Sequence, residues 1–358
     1  MRQFSRLPRT GMAAAVALMA WQMVSQPVQA KDMTDLSLEQ LMHLDVIQLS
    51  VPGAHFHYQG DWMIGYDYSS SQYGGYLSGT SSVSNNQVLS QYMMANTRMQ
   101  SEMEDLMLMY GLRDNWTINV MIPYMNMTMD QVMTSASIPG EHIGGLNSNH
   151  TAGLGDMYVG VIHPFRYKYP TQWQWEAGLG LPTGNIDQFG LMTGMFGPQK
   201  LPYDMQLGSG SFTFQPSLTY LGETDKASWG GQLRGYLPLD QNWDHYIQSN
   251  RFSATGWYAP QLSKHFSPSV RVDFVSQGNI RGADNGMDPT TMPDSNPGLY
   301  AGRRADIYLG LNFNLNNDGQ GHGQWISIEG GWPFYQSLTG PQLKLNNVYS
   351  AAFEWTFK

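Results

Sequence analysis

From Asp61 to the last residues of the chain, bulky apolar side chains recur at every second position, in segments of about ten residues, the length a strand needs to cross a bilayer. The final stretch, NNVYSAAFEWTFK, shows the pattern: Tyr349, Ala351, Phe353, Trp355 and Phe357 alternate with Ser350, Ala352, Glu354 and Thr356. A period of two is that of a β-strand with one oily and one small or polar face. The same contrast sets Phe212, Phe214, Leu218 and Tyr220 against Ser211, Thr213, Gln215, Ser217 and Thr219, and Ile307, Leu309, Leu311 and Phe313 against Arg304, Asp306, Tyr308, Gly310 and Asn312. Twelve such segments lie near 60–69, 102–111, 115–125, 153–163, 172–182, 211–221, 228–238, 251–261, 269–279, 304–314, 324–333 and 347–357. Short connectors (LRDN, PFRYKYP, GETDKA, LSKHFSP, NNDGQGHG) alternate with long polar loops near 70–100, 126–152, 183–210 and 280–303.

Short turns at one end and long loops at the other predict an all-β fold, a transmembrane antiparallel up-and-down β-barrel of about 12 strands. A soluble sandwich would use shorter strands and turn its oily faces inward. In a barrel the last strand closes on the first, near Trp62, Ile64, Tyr66 and Tyr68, which removes both edges, and an even strand count returns both ends to the periplasmic side. An aromatic residue near the C-terminus, Phe357 followed here by Lys358, resembles the signature that the barrel-assembly machinery of the outer membrane reads.

Ahead of the barrel, residues 1–30 read as a signal peptide, with Arg2, Arg6 and Arg9, an apolar run from Met12 to Val24, and Val28-Gln29-Ala30 as the cleavage site. Residues 31–58 form an N-terminal periplasmic segment in which Thr34 or Asp35 caps a short amphipathic helix carrying Leu38, Leu41, Met42 and Leu44. The barrel takes 59–358. Composition agrees: of 358 residues only 13% are charged, against about 25% in ordinary soluble domains, and mean hydropathy is nevertheless −0.36. Loss of the signal removes three Arg and no acid, taking the net charge from −9 to −12, which argues against a nucleic-acid partner. With no Cys there is no disulfide frame and no thiolate metal site.

With the oily face outside, function rests on the inward face. By this register the lumen is lined by Asp61, Asp67, Asp105, Asp156, Glu176, Asp273, Asp306, Glu329 and Glu354 against Arg234, Arg271 and Arg304, with Met63 and Met109 among them. Such charges either cross-brace a narrow interior or make a path that tolerates cations and repels anions. Methionine is the unusual signal, 24 residues with a concentration in MMANTRMQSEMEDLMLMYG and MIPYMNMTMDQVM. If LRDN is the turn, Met107 faces Met121 and Met103 faces Met125 on the inner wall. Thioethers there, with His55 and His57 just before the first strand, would suit Cu(I), or would form an adaptable lining for apolar and aromatic solutes, or would simply fill space.

Catalytic patterns are poor. In HYIQSNR, His245 and Ser249 sit about 13 Å apart along a strand, too far to share a proton. GLGDMYVG and GLGLPTG lack the following helix of a phosphate loop and read as inward glycines of a crowded barrel. No enzyme and no cofactor is expected.

GLGDMYVGV (Gly153 to Val161), the run from Trp173 to Gly184, and NWTINVMIPYMN before them resemble the outer-membrane transporter family named for the MetA pathway of phenol degradation. The resemblance implies an outer-membrane barrel that passes aromatic or other small compounds. Three expectations follow: a passive channel for small apolar or aromatic solutes, a copper-interacting barrel using Met103, Met107, Met121, Met125, His55 and His57, or a closed structural barrel. The partners expected are outer-membrane lipid, a small solute and the assembly machinery, with copper in the second case.

Overall fold

A computed structural model describes residues 51, 53–135, 138–168, 170–191, 197–224, 226–317 and 322–358. The signal peptide and the short helix expected within 31–50 fall outside these described residues. The strands are β1 (Trp62–Gly79), β2 (Ser81–Val83), β3 (Met94–Gly111), β4 (Thr117–Ser135), β5 (Ile138–Leu154), β6 (Met157–Lys168), β7 (Thr171–Leu181), β8 (Phe189–Leu191), β9 (Pro198–Lys200), β10 (Thr213–Glu223), β11 (Ala227–Pro238), β12 (Tyr246–Ile247), β13 (Arg251–Pro260), β14 (Phe266–Gln277), β15 (Arg281–Gly282), β16 (Gly302–Asn317) and β17 (Gly323–Phe357).

The sheet runs β17-β16-β14-β13-β11-β10-β7-β6-β4-β3-β1 and closes through β17 on β1, every pairing antiparallel. Closure pairs Trp62 with Phe357, Ile64 with Trp355 and Tyr66 with Phe353, as the terminal alternation predicts. β17 is 35 residues long; its first half pairs with β16 and its second half with β1, and Gln336 bonds back to Leu345. It is therefore a ribbon that crosses twice, so eleven elements make twelve crossings. β5 continues the pairing of β4 above β6, so β5 and β6 form one crossing broken at Gly155–Asp156.

Burial decides which face meets lipid. Leu309 is 58% exposed and Phe334 61%, whereas Asp306 is 1% and Glu329 2% exposed. A water-soluble protein would reverse this, since burying carboxylates while leaving Leu and Phe bare costs twice. With hydrocarbon outside, the arrangement is favourable, and strand closure leaves no edge unpaired in lipid. Among the described residues no helix is long and apolar enough to cross a membrane. The chain is an outer-membrane β-barrel.

Two of the expected long loops are something else. Residues 70–100 and 126–152 are largely strand: β1 and β3 run on past the membrane band, β4 and β5 likewise, and helix α1 (Asn85–Leu89) sits at the top. Ser84 caps that helix by accepting from Gln87 N, while the Gln87 side chain accepts from Ser84 N, a capping box. The wall above the bilayer is thus tall on this side, and the remaining loops fold against it.

Candidate functional site

At the periplasmic end the chain ahead of β1 enters the lumen. Gln174 donates to Gly53 O at 2.7 Å, and His57 N donates to Thr117 Oγ1 at 2.8 Å. Val51 and Ala54 pack with Trp257 and Ala259, on the far wall from Phe56, which, like Met121, packs against the cluster of Met63, Met107, Met109 and Ile162. Gly53 has φ +69, and a Cβ there would run into the Glu176 carboxylate, so glycine is required twice over. His55 Nε2 lies 3.2 Å from Met63 Sδ, and the two imidazoles meet edge-on at 5.1 Å. Burial lowers His55 to about 4 despite the opposing charge of Glu176; burial, then the charges of His55 and His322, hold His57 well below its ordinary value. Both rings are neutral at pH 7.

Above this segment runs a belt of charge. Glu176, almost fully buried, accepts from Arg234 Nη2 at 2.7 Å, Tyr158 Oη at 2.8 Å, Asn119 Nδ2 at 3.1 Å and Ser217 Oγ at 3.3 Å. Arg271 pairs with Asp273 and Glu329, both at 2.6 Å, and its guanidinium lies 3.8 Å over the Tyr308 ring; Arg304 pairs with Asp306 at 2.7 Å. Tyr158 can lie across two strands because Gly160 and Gly178 leave room where any Cβ would collide with it. These are the inward glycines of the two glycine-rich runs. The opposite wall differs: Asp67 faces Asp105 across β1 and β3, Glu354 pairs with Gly65, and among the described residues none of these three acids has a cationic partner. The ion pairs of the belt run from β7 to the first half of β17, and Asp67, Asp105 and Glu354 lie outside them on β1, β3 and the second half of β17.

The turn Leu112–Trp116 sets the register of β3 and β4, with Asn115 at φ 62, a conformation Asn tolerates. Met107 does face Met121, and Met103 faces Met125. The four nevertheless divide between layers. Met107 and Met121 join the periplasmic group with Met63 and Met109, Met125 packs on the upper group, and Met103 shares their inward face yet is 36% exposed and belongs to neither group. Asp156 sits at the break between β5 and β6 and accepts from Gly184 N (2.9 Å), Ser209 N (2.7 Å) and Ser209 Oγ (2.6 Å), clamping the 183–210 loop.

The upper lumen is filled by loops. Met94, Met99, Met127 and Met129 on the wall pack with Leu201, Met205 and Leu207 of one loop and Met292 of another. Beside them Ile186, Tyr203, Tyr246, Ile280 and Met287 form a second cluster, and β12 pairs with β15 to tie two loops together. Lys200, buried, holds Asp187 (2.9 Å), Asp244 (2.6 Å) and Asp284 (2.7 Å), one carboxylate from each of three loops. Burial alone would lower its pKa, but the three bonds raise it, so the cation is permanent. Asp204 and Asp294 lie buried where the same loops meet; burial raises both, and the charge of Asp204 raises Asp294 further. The sequence reading missed Lys200, although it is the one basic residue between Thr183 and Gly210. Among the described residues no group of three His, Cys, Asp or Glu could hold a metal. Ser249 Oγ has no hydrogen-bond partner and no bond joins it to His245 among the described residues.

No family model and no curated protein matches the chain. Among solved structures, an outer membrane channel from Pseudomonas putida F1 superposes with a TM-score of 0.57 at 12% identity, over 87% of this chain and 100% of that one. The toluene transporter TodX of Pseudomonas putida gives a TM-score of 0.40 at 8% identity, over 83% of this chain and 88% of that one.

Proposed function

We propose that this outer-membrane barrel is a passive channel for small apolar or aromatic solutes, within the phenol-pathway transporter family its motifs resemble. The observation that carries the reading is the upper inner wall. Met94, Met99, Met127 and Met129 pack with Met205 and Met292 of the loops in one buried thioether layer, so a solute crossing as the loops part meets flexible sulfur where a sugar or phosphate channel would put hydroxyls and charges. Each sulfur–aromatic contact contributes about 0.3–1.5 kcal/mol, enough to favour an aromatic solute without trapping it. The likeness to a channel-forming barrel supports the same reading.

Liposome swelling tests it. Reconstituted protein is expected to admit catechol and resorcinol faster than arabinose, each corrected for protein-free vesicles, and replacing Met99 and Met127 by Gln is expected to narrow that preference. Equal rates for all three solutes, or no rate above protein-free vesicles, would refute the reading; the second result would favour a closed structural barrel.

A further inference from the structure

The segment inside the periplasmic mouth carries chemistry that solute passage does not use. His55 and His57 are 8% and 5% exposed, so neither imidazole is a surface group. His55 Nε2 lies 3.2 Å from Met63 Sδ, a thioether that is a poor hydrogen-bond acceptor. His57 Nε2 has no hydrogen-bond partner at all. A buried polar atom left alone, as His57 Nε2 is, costs about 1–3 kcal/mol, and nothing in the barrel's construction requires it there beside a thioether-bound His55. Met63 faces Met109 across β1 and β3 and packs with it and Met107, so further sulfur lies against the same spot. The Glu176 carboxylate, whose charge reaches His55, is already occupied by Arg234 and three neutral donors.

Two imidazole nitrogens and thioether sulfur, with no free carboxylate, form a soft and uncharged donor set. Imidazole suits Zn²⁺ and copper alike, but thioether sulfur favours a soft monovalent d¹⁰ ion over Zn²⁺, and over Mg²⁺ or Ca²⁺, which seek oxygen. We propose that His55, His57 and Met63 bind Cu(I), or Ag(I) as its analogue, at the periplasmic mouth, with Met109 the further sulfur within the group. The site shares His55 and His57 with the set read from sequence, but it leaves out Met103 and Met125, which lie elsewhere in the lumen. It stands or falls independently of the solute path.

The test is Ag(I) titration of the full chain in detergent micelles, followed by methionine methyl resonances and by competition with a chelator. One equivalent is expected to bind, shifting the Met63 and Met109 methyls first. Met63→Leu, close to isosteric, and His57→Gln are each expected to weaken binding at least tenfold while heat-modifiable mobility stays that of a folded barrel. Met103→Leu with Met125→Leu is expected to change affinity less than twofold. Affinity unchanged in both folded single variants would overturn the proposal. Should either variant fail to fold, the parent protein still decides: a shift confined to exposed Met103, with Met63 and Met109 unmoved, overturns it equally.

Discussion

Replacing Lys200 by Met should release the loops that fill the upper lumen while leaving the barrel intact. The size of the effect follows from how unequally the three carboxylates depend on this one cation. Asp187 is half exposed, so its pair contributes almost nothing measurable. Asp244 keeps some contact with water. Asp284 is 4% exposed, and without Lys200 its charge is stranded. Breaking a buried pair from one side costs about 3–5 kcal/mol, and in loops that can open to water the lower end, about 3 kcal/mol, applies. That is about a 100-fold shift toward the released loops. The strand ladders do not pass through Lys200, so heat-modifiable mobility should be unchanged. Chymotrypsin, for which Tyr203 and Tyr246 are buried targets in the parent, should cut Lys200→Met on the order of 100-fold faster when opening precedes cleavage, and planar-bilayer recordings should show longer open intervals. Adding Asp284→Asn to Lys200→Met removes the stranded charge and should restore most of the protection. A single variant as resistant as the parent, or a double variant as labile as the single, would refute the reasoning.

Leu309→Arg places a charge on the lipid face near the middle of β16 and should lower barrel stability by about 2–4 kcal/mol in denaturant titrations from bilayers, against less than about 1 kcal/mol for Leu309→Met. The Asp204–Asp294 pair makes loop packing depend on pH. Its folded pKa values lie above the ordinary carboxylate value, so the stabilisation is complete below that value and is lost as pH rises through the folded ones, near neutrality for Asp204. Tyr76, Tyr203 and Tyr300 are the other titratable groups that face the pair, and all stay neutral in this range. Proteolysis of the loops should therefore be slower at pH 5 than at pH 8, and Asp294→Asn should flatten the difference; an unchanged profile would remove the pair from the account. Glu176→Ala leaves Arg234, Tyr158 and Asn119 without their common acceptor and should cost about 3–5 kcal/mol, measured as in the Leu309 series, whereas a loss below about 1 kcal/mol would show that water replaces it.

How much of this was legible depended on where the contrast between oily and polar faces survives. Within the bilayer the lipid enforces it, so the faces of β10, β16 and the end of β17, and the closing register of Trp62 on Phe357, could be read residue by residue. Above the bilayer both faces of a strand meet water or protein. In Ser69–Gly79 and Thr128–Ser135 runs of Ser, Gln, Thr, Gly and Asp break up the apolar positions, and extended strand looks like polar loop. Asp156 looks like a lumen acid by parity; only the three-dimensional return of Gly184 and Ser209 makes it a clamp. The entry of residues 53–60 into the lumen has no periodic signal, although Gly53 is what such a close-packed strip requires. Methionine content was visible, but its division into two layers depends on which loops fold inward.

The most direct measurement exploits a chain with no Cys. Single Cys residues placed at 307 to 312 on β16, spin-labelled in proteoliposomes, report collisions with oxygen in lipid or with a water-soluble nickel chelate. The account predicts oxygen accessibility at 307, 309 and 311, with 308, 310 and 312 sheltered from lipid, a strict alternation along the strand. Uniform accessibility at all six positions, or the opposite phase, would contradict it.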